Sequence, residues 1–202
     1  MDETQKPQSG DAHLVSTLRI VIFLNLAYFV IEIAVALAIG SVALVADSVD
    51  FLEDTAVNCL ILAGLRFSPL WRARLGMGLA ALLLLPATAG VIMLLHKIAT
   101  PVAPAPVPLS LTGLGALAIN TTCAFLLARV RGYAGSLTRA AFLSARNDVI
   151  ANVAIVLAGI VTAFWPTIWP DLVVGAGIAL LNADSAREIF EAAREEHKDA
   201  AG

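Results

Sequence analysis

The residues best suited to chemistry stand together in Ala46-Asp47-Ser48-Val49-Asp50-Phe51-Leu52-Glu53-Asp54, four acids inside a run otherwise apolar enough to cross a bilayer. At about 100° per residue, Asp47, Asp50 and Asp54 fall within about 60° of one another, so three carboxylates share one helix face and Glu53 lies at its edge. The energetics of membrane insertion make this run costly. Ten Leu, Ile, Val and Phe residues lie between Val42 and Leu62. Each contributes roughly −0.3 to −0.6 kcal/mol, whereas one charged Asp at the centre of a span costs about +2.5 to +3.5 kcal/mol. The acids outweigh the apolar residues, and the helix persists only if they are protonated, face a wet cavity or meet a cation. Acids that survive in such a setting are functional candidates by default.

A second polar concentration, Ser144, Arg146, Asn147, Asp148 and Asn152, lies near the start of a later apolar run. By helical periodicity Ser144, Asn147, Asp148 and Asn152 cluster on one face, while Arg146 points nearly opposite Ser144. Arg146 therefore either snorkels to the interface or neutralises an acid on a neighbouring helix, with Glu53 the preferred partner. A third set, Asn25, Tyr28 and Glu32, shares one face of the first apolar run. It reads as hydrogen-bonding glue between helices, with Glu32 also a candidate proton or ion stop. If the faces carrying Asp50, Asp54, Ser144 and Asp148 meet, three carboxylates and a hydroxyl surround one point. Those are hard oxygen donors suited to a divalent cation. Carboxylates gathered in a low dielectric repel one another, so metal entry should expel protons, which is the physical seed of metal/proton exchange.

The elements that must position these groups follow from composition. Of 202 residues 59% are hydrophobic and 14% charged, and the mean hydropathy is +0.84, which describes an all-α polytopic membrane protein rather than a soluble domain. Cys59 and Cys123 give neither a disulfide framework nor metal-thiolate spacing. No basic patch exists to bind nucleic acid. The polar residues 1–16 lack the hydrophobic core and cleavage site of a secretory signal, so they are expected to remain as a cytoplasmic tail.

Six transmembrane helices are expected within residues 17–184: about 18–38, 42–65, 75–95, 109–128, 136–164 and 171–181. Gly40-Ser41 joins the first two in almost no length, making them antiparallel neighbours. Pro86 and Gly90 are candidate kinks in the third, which otherwise reads as scaffold. His96 reads as an interfacial side chain, and Ala99–Pro108, rich in proline, as an extended linker. Trp165-Pro166 and Trp169-Pro170 bracket an aromatic turn, and residues 185–202 read as a short cytoplasmic tail containing a polar helix. Of the 13 Lys and Arg residues, all but Lys97 and Arg146 fall on the side of the N-terminal tail, so both termini are placed in the cytoplasm, N-in and C-in.

The stretch from Gly40 to Asp54 resembles the second-helix signature of the cation diffusion facilitators, the cation efflux family, in which a His or Asp and, four residues on, an Asp bind a divalent metal. Asp50 and Asp54 match those ligands, and Asp47 matches the acid of the Ala-Asp step just before them. The fifth-helix pair aligns with Ser144 and Asp148, and Asn25 and Glu32 sit where the family's first helix carries Asn and Glu. The resemblance spans roughly residues 17–185. It implies a multi-pass protein of a bacterial-type inner membrane that is no enzyme, holds no fixed cofactor, and exports a divalent metal in exchange for H⁺. The cargo it implies is Zn²⁺ first, then Mn²⁺, Fe²⁺, Co²⁺ or Cd²⁺.

Asp50, Asp54, Asp148 and Ser144 are then the metal residues. Asp47, Glu32, Asn152, Asn147 and Glu53 serve as proton relay or as support around the ligands. Ser144 stands where the family has His or Asp, so water, Asn147 or Ser144 itself completes the set. The family's soluble ferredoxin-like domain is not expected after span six, nor is its histidine-rich loop between spans four and five, since Arg129–Arg139 contains no histidine. A homodimer would then be held by membrane helices. The alternative is a non-transporting, metal-binding membrane subunit that kept the fold. An intramembrane enzyme is disfavoured, because no span carries a Gly-Asp pair of the protease type.

Overall fold

The computed structural model describes residues 9–65, 69–130 and 136–181. The N-terminal eight residues, residues 66–68, residues 131–135 and the expected polar helix at Ser185–His197 lie outside them. Every element in the described residues is helical, six helices with no strand among them. They are α1 (Ser9–Ile39), α2 (Val42–Gly64), α3 (Pro69–Ala99), α4 (Pro106–Val130), α5 (Ser136–Phe164) and the segment α6 (Trp169–Leu181).

Helix boundaries differ from the sequence expectation at α1, α3 and α4. Helix α3 starts at Pro69 instead of near residue 75, since proline suits the first turn of a helix, and runs on to Ala99. Helix α1 begins well before Leu18, so part of the expected polar tail forms its first turns, where Leu14 is buried against the bundle. Packing of that apolar side chain holds residues that periodicity alone left polar. Helix α4 begins at Pro106, so the non-helical linker is confined to residues 100–105. Proline's fixed φ and missing N–H suit the first turn of a helix, and Pro106 therefore opens α4 instead of prolonging an extended chain. Helix α3 runs unbroken past Pro86 and Gly90.

The turn between α1 and α2 is built from two residues. Gly40 adopts φ +64°, a left-handed conformation that costs glycine little. Ser41 then caps α2, its Oγ accepting the Leu44 N–H at 3.1 Å.

Helix α2 is the hub. It packs against α1, α3, α4 and α5, and its N-terminus also meets α6, whose Gly175 lies so close that an added Cβ would stand 2.8 Å from the Ala43 nitrogen. Val42 to Ala56 are buried without interruption. The outer surface shows the opposite chemistry, with Phe23, Val30, Leu111, Phe125, Ile150 and Phe164 exposed, while Asn25, Glu32, Asp47, Asn58, Asn120 and Asn152 are buried. Apolar outside and polar inside is the pattern of a bundle solvated by lipid. Among the described residues, three helices carry windows apolar enough to span on composition alone, Ala12–Ile39, Pro106–Val130 and Ala141–Phe164.

Candidate functional site

Helix α2 delivers its acids to the interior because α1, α3, α4 and α5 surround it. Asp47 is fully buried, and Asp50, Glu53 and Asp54 are each less than a tenth exposed. Helix α5 packs against it, and there the Ser144 hydroxyl donates to Asp54 Oδ1 at 3.1 Å. The half-buried Asp148, one turn further along α5, lies within electrostatic reach of both Asp50 and Asp54. The faces carrying Asp54 and Ser144 therefore touch at this hydrogen bond.

The supporting amides are arranged locally. Asn58 Nδ2 donates to the Asp54 carbonyl at 2.7 Å, and Asn152 Nδ2 donates to the Asp148 carbonyl at 2.7 Å. Each fixes the turn that carries an acid. Among the described residues no three His, Cys, Asp or Glu side chains are close enough to hold a metal ion together. In this conformation the acids line a seam between α2 and α5 without closing on one point.

Asn147 is exposed and accepts a hydrogen bond from Arg146 Nη2 at 3.4 Å, which places it apart from the Ser144–Asp54 contact and does not favour it as a ligand. Arg146 is exposed too, in keeping with its direction away from Ser144. His96 is exposed, its ring 3.1 Å from the Thr100 hydroxyl, an interfacial placement. On α1, Tyr28 donates to the Thr112 carbonyl of α4 at 2.6 Å, and Asn25 accepts from the Cys123 thiol at 3.4 Å, so these two act as glue between α1 and α4. Glu32 is fully buried, and neither of its carboxyl oxygens meets a hydrogen-bond donor.

A second acidic centre, absent from the sequence reading, lies at the opposite end of α2. Asp171 at the start of α6 accepts from Ser41 Oγ at 2.5 Å, from Val42 N at 2.9 Å and from Ala43 N at 3.2 Å. Lys97 at the end of α3 donates to Asp171 Oδ2 and to the Gly40 carbonyl, both at 2.6 Å. The carboxylate thus caps the first turn of α2 from another helix and sits at the positive end of its dipole, while the ammonium neutralises it. A signal for this pairing was present. Lys97 is the only cation in the connections at that end of the bundle, Asp171 is the only acid there, and neither is tolerable unpaired at membrane depth.

A helical membrane bundle that is apolar outside and carries carboxylates on facing interior helices has the architecture of proteins that pass cations across a bilayer. The family model of the cation efflux transmembrane domain matches residues 18–196, and the chain belongs to that family. It is therefore an integral membrane protein whose family function is the transport of metal cations. No curated protein sequence matches the chain significantly.

Proposed function

We propose that the protein exports a divalent metal, Zn²⁺ in the first instance, from the cytoplasm in exchange for H⁺, by exposing the α2/α5 seam to each side of a bacterial-type inner membrane in turn. The observation that carries this reading is the contact between Ser144 and Asp54 at 3.1 Å, with Asp148 in electrostatic reach. It brings the two matched ligand pairs of the family signature to one seam. Asp50, Asp54 and Asp148 supply hard oxygen donors, Ser144 a neutral one, and Asn152 and Asn58 steady the turns that carry them. The acids bind cargo, and a slight movement of α5 against α2 would gather them around it. Both termini lie in the cytoplasm in this reading, and two copies associate through membrane helices.

The test is flux into proteoliposomes with a pH dye inside, adding Zn²⁺, Mn²⁺, Fe²⁺, Co²⁺ and Cd²⁺ in turn. Wild type is expected to move protons when its metal is added. Asp54→Ala is expected to abolish that movement while inserting in the membrane as well as wild type, and undiminished flux through Asp54→Ala would sink the assignment.

One observation favours a second reading, a metal-binding subunit that does not transport. Ser144 supplies a hydroxyl where the family signature has an imidazole or carboxylate, and that hydroxyl is already engaged by Asp54. Ser144→His discriminates between the readings: a large gain in flux from a near-silent wild type would support the subunit.

A further inference from the structure

Asp54 of the seam accepts from the Ser144 hydroxyl, and Asp171 is surrounded by donors. One pair of acids has neither arrangement. Glu32 of α1 and Asp47 of α2 are both fully buried, and none of their four carboxyl oxygens meets an N–H or O–H donor. They approach each other within hydrogen-bonding reach across the α1/α2 interface. The hairpin dictates this meeting, for Glu32 lies eight residues before Gly40 and Asp47 seven after it. At a rise of about 1.5 Å per residue the two carboxyls stand at nearly the same depth in antiparallel helices.

Two acceptors cannot hold each other at that range in a dry interior unless a proton or another cation lies between them. No cation is at hand among the described residues. The titratable groups in electrostatic reach are Tyr28 on α1, Asp50 on α2 and Asp148 on α5, all of them anionic or neutral. Tyr28 cannot supply the missing donor, because its hydroxyl proton is committed to the Thr112 carbonyl of α4. A metal would need more ligands than two carboxylates, and no third acid, His or Cys joins them closely enough to complete such a group among the described residues. A proton needs only two oxygens.

We infer that Glu32 and Asp47 form a shared-proton site between α1 and α2, separate from the metal seam, and that this proton is the counter-ion of transport. The inference rests on the exchanger reading of the seam and names where the exchanged proton resides. Asp50 links the two sites, lying one turn along α2 from Asp47 and within electrostatic reach of Glu32. When the metal binds at Asp50 and Asp54 from the cytoplasm, its positive charge expels the shared proton: one carboxyl O–H bond breaks and the proton leaves to cytoplasmic water. When the metal departs on the far side, a proton from that side rebuilds the O–H bond. Charge in the interior is kept low in both halves of the cycle.

The test pairs a spectroscopic readout with two modes of transport, on wild type, Glu32→Gln and Asp47→Asn. In infrared spectra of metal-free protein in lipid, wild type is expected to show a protonated-carboxyl C=O band that weakens on Zn²⁺ loading, and Glu32→Gln is expected to lose the component of that band which the Glu32–Asp47 pair contributes. A wild-type spectrum without that band overturns the inference whether or not the protein transports. In proteoliposomes, each coupled proton multiplies steady-state metal accumulation by about tenfold per pH unit of gradient. Glu32→Gln is expected to lose that factor while Zn²⁺/Zn²⁺ counterflow at equal pH, which moves no net proton, persists. Full gradient-driven accumulation by Glu32→Gln, or equal loss of both modes, would each refute the shared-proton site. Wild type that moves no metal in either mode would instead refute the exchanger reading.

Discussion

Asp171, which docks on the N-terminus of α2, and Asp47, which α2 itself carries, are the same residue type and both fully buried, yet their surroundings are opposite. Asp171 accepts from a hydroxyl, two backbone amides and an ammonium; Asp47 meets no donor and faces another acid. A buried carboxylate with its lone pairs filled by fixed partners is an anchor, because any displacement strands a charge. One that faces a second acid and no donor has its need met, in the shared-proton reading, by something that comes and goes. Helix α2 is thus pinned at one end and left electrostatically incomplete along the face that carries Asp47, Asp50 and Asp54. A helix that must respond to a cation without drifting from its place needs both.

Neutralising the two acids by the same isosteric change puts the contrast to its strongest test. Asp171→Asn leaves the Lys97 ammonium buried without a counter-charge and is expected to cost about 3–5 kcal/mol, read as a large fall in thermal unfolding midpoint in detergent. The contact beside that anchor comes next. Gly175→Ala places a methyl group against the Val42–Ala43 backbone and is expected to cost about 1–3 kcal/mol by prying α6 from α2, measured the same way. The smallest effect belongs to Asp47→Asn, whose amide supplies the donor that Glu32 lacks. Its stability, read from the same unfolding midpoint, should stay within about 0.5 kcal/mol of wild type or rise. Equal destabilisation by Asp171→Asn and Asp47→Asn would erase the distinction between anchor and open site.

Much of the architecture was legible because lipid imposes a simple code. The bounds of α5 follow from sequence as Ser136 to Phe164, and the acid face of α2 is plain from the one-turn spacing of Asp50 and Asp54. What periodicity could not reveal was pairing between distant segments. Lys97 and Asp171 are 74 residues apart, and a reading that counts charges by loop assigns them to different connections. The start of α4 was hidden because proline looks the same in a linker as in the first turn of a helix. The outward placement of Asn147, beside Arg146, depends on how α5 is rotated against α4 and α2. Small residues settle that rotation: an added Cβ at Gly113 of α4 would come within 2.8 Å of Ile155 of α5.

The Gly40-Ser41 turn also bears on how the chain enters the bilayer during synthesis. With only two residues between them, α1 and α2 have no slack to insert independently, so they partition as a single hairpin. Helix α1 contributes a window of mean hydropathy 2.5, enough to draw in a partner whose acids would bar it from entering alone. Because Glu32 and Asp47 arrive face to face within that hairpin, the acidic helix has its first interior neighbour before α3 and α6 bring Lys97 and Asp171 to its N-terminus.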